Sequence, residues 1–439
     1  MLDHFSLTRK PQVMRTTILT ILILLTVTFT QGQVSINTSA NPPDPSSMLD
    51  ISGAGKGLLI PRMTLAQRNA ISLPANALLI YQTDNTSGFY YNRGTPVAPE
   101  WIYLTSMPGD THLEDRIPID SLPYTISTTG SYYVTANLSG PVGITISTSN
   151  VSLDLNGYAL IGTAGNASEG IKLSAAYSNI VIRNGSVTGW GKEGIKAVLA
   201  TNSNFTQLQI LGNSLDGIAA GNNNLASYIV ASNNTFDGID FGESAVIYHC
   251  TAANNLNDGI EADAGSSLLQ CTARHNTQNG SRATGAATIS NSSGSENNNH
   301  GFSCGAGSTV NQNSATNNSF DGFYLFGASM ATGNVARNNG NHGFEFLNDC
   351  VLESNTASLN GYSGYSTTYT GGKIDNNTSS DNAHHGFNIQ NAGGCQITRN
   401  TTSGNGISAF NVLAGNTFAT VVTSATINTN TNPFANFQL

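Results

Sequence analysis

The chain has 439 residues, 46 of them glycine, with only 10% charged side chains and a formal charge of −9. That length is too great for one compact core, whereas a solenoid escapes the limit because each coil packs only on its neighbours. The acidic, lysine-poor balance argues against a nucleic-acid partner, which would need a basic surface.

From the N-terminus, residues 18–29 (ILTILILLTVTF) form an apolar core behind Arg9, Lys10 and Arg15, with Thr30 and Gly32 before Gln33. Residues 1–32 therefore read as a signal peptide, too short for a comfortable membrane span, and Met14 offers an alternative start with a more usual basic segment. No later stretch has the apolar length of a membrane helix. The expectation is an exported protein, extracellular or at the cell surface, with no membrane span.

Residues 33–106 hold most of the prolines and show no long period. The runs VSINTSANPPDPSSMLDIS, KGLLIPRMTLAQRNAI and LLIYQTDNTSGFYYN, then Glu100-Trp101, resemble a module common at the N-terminus of secreted Bacteroidetes surface and fibre-like proteins. The resemblance implies a surface setting and oligomerisation through this module, and no chemistry. Residues 107–150 read as a cap on the open end of a solenoid, with short strands in YTIS and SYYVTANL.

Residues 151–415 carry the repeat. Gly217, Gly238, Gly259, Gly280, Gly301, Gly322, Gly343 and Gly364 recur every 21 residues, usually followed by Ile or Phe. Four positions earlier stands Asn213, Asn234, Asn255, Asn276, Asn297, Asn318, Asn339 and Asn360. A fixed period in this range means a solenoid. Side chains alternate along strands, so the positions one and three after each glycine share a face, and like residues stack coil on coil. An Asn amide donates and accepts, so an in-register column bonds along its own ladder, and both Asn and Gly tolerate left-handed turns. The pattern predicts an all-β fold, a single-stranded right-handed parallel β-helix of about 21 residues per coil. The runs ITISTSNVSLDLNGYALIG and SNIVIRNGSVTGWG resemble the first coils of the pectate-lyase-like superfamily, a scaffold that hosts enzymes, adhesins and stalks alike. Residues 416–439 lose the period and read as a C-terminal cap, with Phe434, Phe437 and Leu439 over the last coil.

Five cysteines are present. Cys250 and Cys271 share one coil position, and a coil spacing of about 4.8 Å permits either a disulfide or a stack of buried thiols.

Charged residues are scarce yet gather in two columns beside the glycines. Asp237, Asp240, Asp258, Glu261 and Asp263, from two adjacent coils, offer the hard oxygens that suit Ca²⁺. Arg282 follows Glu261 one coil on. The arrangement resembles that of calcium-dependent pectate lyases, which implies a metal bridging carboxylates to a uronate and Arg282 as the proton-abstracting base. The runs NNTFDGIDF, NDGI and NNHGFSCG resemble polygalacturonase elements, which implies catalytic roles for Asp237, Asp258 and His300. That family pairs two aspartates where this chain has Asn257-Asp258. His300, Asp321 and His342 fall in one column with Tyr324 and Glu345 alongside, a base pair or a transition-metal set. Lys172, Lys196, Tyr324, Tyr362 and Tyr369 are the candidate substrate contacts, the tyrosines as platforms for sugar faces. Tyr365 falls in the inward column. The sequence thus points to extracellular polysaccharide as the bound partner and, if the protein is an enzyme, to a calcium-assisted lyase first and a glycoside hydrolase second. The alternative is a non-enzymatic adhesin or fibre that uses the solenoid as a rigid rod.

Overall fold

The structure, a computed structural model, describes residues 32–39, 41–104, 116–390 and 393–439. The leader expected at residues 1–32 lies almost wholly outside them. The chain divides into two compact units, Met1–Leu113 and Glu114–Leu439.

In the first unit Val34–Asn37 pairs in parallel with Leu49–Ser52. A second sheet orders Arg62–Met63, Leu79–Gln82, Gly88–Asn92 and Trp101–Leu104. Its last three strands are an antiparallel meander. The short helix Leu65–Asn69 starts at Thr64, whose hydroxyl accepts from the Gln67 backbone while Gln67 reaches back in a capping box. Little apolar surface is buried here. Ile80 and Tyr90 are inside, while Leu58, Leu59 and Val97 are 66%, 72% and 83% exposed.

The second unit is a parallel solenoid. A typical coil runs through strand Ile239–Phe241, a turn, strand Val246–Tyr248, a sharp corner and strand Thr251–Ala253, then crosses back at Asp258-Gly259. The first strands of successive coils form a 14-stranded sheet, and the other two join a 27-stranded one. Every pairing between these coils is parallel and in register, as in Ile239↔Ile260 and Ala252↔Ala273. The expected cap is already coil: Tyr124–Ile126 pairs with Ile144–Ile146 in the first sheet. Its alternating apolar residues meet the same pairing demand as the coils that follow. At the other end Asn436–Gln438 pairs with Thr401–Ser403 and covers that edge. Phe434 and Leu439 stay exposed.

The interior is built from columns. The residue after each glycine points inward, first as Ile171, Ile195, Ile218, Ile239 and Ile260, later as aromatic rings. Phe302, Phe323, Phe344, Tyr365 and Phe387 stack with centroids 4.7–5.1 Å apart and planes 3–7° from parallel. That spacing is the rise of one coil, so each ring fills the space its neighbour leaves. Tyr365 is buried as expected, and its hydroxyl donates to the Thr378 carbonyl at 3.2 Å.

The asparagine ladder is present, with a different backbone from the one its composition suggests. Asn234 donates its backbone N–H and Nδ2 to Asn255 Oδ1 at 3.1 and 3.0 Å, and the motif repeats coil after coil. The left-handed residue is the one before each ladder asparagine, as at Asn233, Asn254, His275 and Glu296, with φ of 56–58°. Nor do the periodic glycines serve turns. A Cβ on Gly259 would lie 2.5 Å from Asn276 Nδ2 and 2.6 Å from the Gly280 carbonyl, so the column is glycine because the next coil passes too close. A second ladder runs Asn313, Asn334, Asn355, Asn377, Asn400 and Asn436. Earlier in that column stand Cys250 and Cys271 as stacked free thiols, joined to Asn313 through Ser292, and all five cysteines are free and buried.

Candidate functional site

In most strands of the first sheet the middle side chain turns outward between two buried ones, as Asp240 does between Ile239 and Phe241. Register then makes one outer column of Lys172, Lys196, Ala219, Asp240, Glu261, Arg282, Ser303, Tyr324 and Glu345. The residue before each glycine makes a second column at the edge of this sheet: Asp216, Asp237, Asp258, Asn279, His300, Asp321 and His342.

The edge aspartates hold the coils together with one oxygen. Asp216 Oδ1 accepts the Asp237 N–H at 2.9 Å, Asp237 Oδ1 accepts the Asp258 N–H at 2.7 Å, and Asp258 Oδ1 accepts from Asn279 backbone and side chain at 2.7 and 2.9 Å. The second oxygen of each remains for other work. Asp237, Asp258 and Glu261 each bring one oxygen within 4.8 Å of the others, the sole such metal-capable group among the described residues. Ligand–metal distances of about 2.3–2.6 Å suit a spacing of this size, and the donors are the hard oxygens Ca²⁺ takes. Asp240 stands beside this trio in the outer column. Asp263 Oδ1 instead takes a hydrogen bond from Thr284 Oγ1 at 2.6 Å.

Electrostatics set the group apart. Burial, then the charges of Asp258 and Asp216, push the Asp237 carboxyl up to about 8. Burial and the charges of Asp216, Glu261 and Asp263 raise Asp240 to about 7. Asp216, one coil before Asp237 in the edge column, rises to about 6 through burial and its acidic neighbours. Asp258 and Glu261 also rise, mainly through burial. Carboxyls this crowded demand a cation or protons.

Arg282 offsets only part of this. Its Nη1 lies 2.5 Å from Glu261 Oε1. The guanidinium is engaged as a donor to Glu261, so this geometry favours a carboxylate-binding role over the base that the resemblance implies. A depression of 260 Å³ opens beside it, lined by Arg282, Thr284, Ser303 and Phe326 among others. The lysines expected to bind substrate are paired as well, Lys196 to Glu193 at 2.9 Å and Lys172 to Glu169 at 3.6 Å. They lie coils away from the trio.

Farther along, the columns bring histidines and aromatics together. His300 Nδ1 is 3.1 Å from Asp321 Oδ2, and its ring stacks on Tyr324 with centroids 4.9 Å apart and planes at 16°. His342 turns away: its Nδ1 accepts the Ser363 N–H at 3.3 Å, and burial lowers its basicity. His300, Asp321 and His342 therefore do not converge as metal ligands. Tyr362 is half-exposed and stacks on His384 at 3.7 Å, and Tyr369 is exposed to the same degree. Together with Tyr324 and Phe326 they line the outer face with rings. Glu345, named from sequence only as a neighbour, proves to face Asp321, and burial with that charge raises it to about 7.

A solenoid of parallel three-strand coils defines the fold of the second unit, a right-handed parallel β-helix. Residues 279–431 match the family described as the right handed beta helix region, and residues 35–117 match the phage tail like trimerisation region. No curated protein matches the chain. Among solved structures it is similar to the periplasmic alginate epimerase AlgG, with 12% identity over 68% of this chain and 77% of that one and a TM-score of 0.44. It is similar also to the A-module of the mannuronan C-5 epimerase AlgE4 of Azotobacter vinelandii, with 15% identity over 65% and 90% and a TM-score of 0.41. A third is the catalytic domain of a GH87 alpha-1,3-glucanase, with 12% identity over 77% and 72% and a TM-score of 0.41.

Proposed function

We propose that this is an exported β-helix protein that binds extracellular acidic polysaccharide along the outer face of its 14-stranded sheet. In this reading Asp237, Asp258 and Glu261 hold Ca²⁺, with Asp240 beside them, and the ion bridges the protein to uronate carboxylates. The observation that carries it is the convergence of three carboxylates within 4.8 Å in a patch whose burial and repulsion leave it short of positive charge. Arg282 adds a fixed donor for a sugar carboxylate, and Tyr324, Tyr362 and Tyr369 offer ring faces to the sugars farther along. Export rests on the apolar leader at residues 18–29. Among the described residues no helix is long and apolar enough to cross a membrane.

The test is calorimetric titration of the full chain with polygalacturonate, alginate and a neutral glucan, in Ca²⁺ and in chelator. Binding of the uronate polymers in Ca²⁺ alone, lost in Asp237→Asn, Glu261→Gln, is the expected result. Equal binding of the neutral glucan in chelator would reject the calcium bridge. A second reading, a non-enzymatic fibre, is favoured by the match of residues 35–117 to a trimerisation region. It predicts oligomers that bind none of the three polymers.

A further inference from the structure

The sharp corner after the second strand of each coil holds one residue in the left-handed region. Gln207, Tyr228, His249, Gln270, Asn291 and Gln312 occupy it in successive coils, with φ of 51–55°. Asparagine tolerates that backbone, whereas a bulky ring there is an outlier. Tyr228 returns little to the fold for this strain. It is 55% exposed, and among the described residues its hydroxyl meets no hydrogen-bond partner. Strain kept without a structural return points to other work for the ring.

The neighbours of Tyr228 make its ring one wall of a site. His249, one coil on, stacks against it with centroids 5.2 Å apart and planes 22° from parallel. Tyr248 packs edgewise against both, 4.0 Å from His249 and 5.9 Å from Tyr228. The face of Tyr228 turned from His249 looks toward the preceding coil. There a depression of 330 Å³ opens between it and Gln207, Leu208, Gln209 and Val230. Gln209 pairs in register with Val230, so both glutamines stand one coil before the ring. Both are exposed, and among the described residues neither amide is spent on a protein partner. No charged side chain lines the depression. Arg183, in register with Thr206 one coil earlier, is held by Asp154 at 3.1 Å.

We propose that this corner is a second binding site, which takes one residue of a neutral sugar between Tyr228 and the amides of Gln207 and Gln209. A sugar ring presents a face of C–H bonds, which settles on an aromatic ring, and an edge of hydroxyls, which donate to and accept from amides. A uronate would bring its charge to a place that offers no cation, so the site discriminates against the polymer proposed for the first sheet. The corner belongs to the 27-stranded sheet, whereas the acidic columns follow the 14-stranded one. The inference stands on its own residues and needs no calcium.

The experiment is saturation-transfer NMR of the full chain with cellohexaose, mannohexaose and maltohexaose in chelator, with hexagalacturonate as the charged control. Wild type is expected to transfer to at least one neutral hexaose and not to hexagalacturonate. Tyr228→Asn should lose that transfer while melting at or above wild type, because asparagine suits a φ of 54° better than tyrosine does. Gln207→Ala, Gln209→Ala should weaken the transfer with the ring still in place. Transfer to none of the neutral hexaoses, or transfer undiminished in Tyr228→Asn, overturns the site. A lower melting temperature for Tyr228→Asn would give the ring a structural role and remove the ground of the proposal. Calcium-dependent uronate binding should be unchanged in Tyr228→Asn, so the two sites fail or stand separately. Neutral-glycan binding that disappears in that variant belongs to this corner and does not count against the calcium bridge.

Discussion

Asn297 shows how much one side chain carries in this fold. Its Oδ1 accepts two hydrogen bonds from Asn276, and its Nδ2 donates to Asn318 Oδ1 and to the Ala273 carbonyl at 2.9 and 3.2 Å. Replacement by Ala leaves buried partners on both neighbouring coils without bonds, each costing about 1–3 kcal/mol. Scanning calorimetry of Asn297→Ala should therefore show a clear fall in melting temperature, and an unchanged curve would mean the ladder is ornamental. Gly259→Ala tests the glycine column in the same way. Its new methyl would meet the Gly280 carbonyl at 2.6 Å, backbone that cannot step aside, so the variant should be destabilised or fail to accumulate. Gly157→Ala meets nothing within 4 Å, and is strained only by its φ of +80°, so it should cost far less. At this scale the sequence was legible as columns but not as causes. It showed that Gly259 must be glycine. Only the next coil, passing overhead, showed that the reason is closeness rather than a turn.

At the scale of the strand and its edge, the acidic column makes a pH prediction whose sign is fixed. Asp237 and Asp240 have carboxyls raised from the ordinary 3.8 to about 8 and about 7. A group whose basicity is raised by folding contributes stability that is whole below pH 4 and is lost as pH climbs toward its folded value. The contribution of this patch should therefore fall between pH 4 and 8 in chelator. Ca²⁺ should restore it, with a larger shift at pH 8 than at pH 5, because the ion competes with protons for the same oxygens. Asp237→Asn should be more stable than wild type at pH 8 without calcium, since the column already accepts asparagine at Asn279. A melting temperature that is flat with pH and blind to calcium would reject the metal site. Sequence spacing found the patch because a fixed period fixes which side chains neighbour each other. It did not find Asp216, nor the turning of Asp263 to Thr284, since period says where a side chain stands and not which oxygen is already bonded. The second asparagine ladder escaped for a related reason: it begins only at Asn313 and its later steps are 22, 23 and 36 residues.

For the molecule as a whole the open question is how many chains work together. The described part of the first unit buries little and leaves Leu58, Leu59, Leu73 and Val97 outside. Apolar side chains left out by so small a module are unfavourable in water unless another surface covers them. Residues 35–117 also match a trimerisation region. Both observations fit three copies of this module burying those residues against one another. Three chains would carry three uronate-binding faces, and linked sites gain avidity on a polymer long enough to engage more than one. Light scattering of the protein should give three times the mass of one chain. Leu58→Asp, Leu59→Asp should give the single-chain mass, bind short uronate fragments as wild type does, and hold long polymer 10- to 1,000-fold more weakly. A single-chain mass for wild type would remove the trimer. An undiminished grip on long polymer by the dissociated variant would show that each β-helix binds alone.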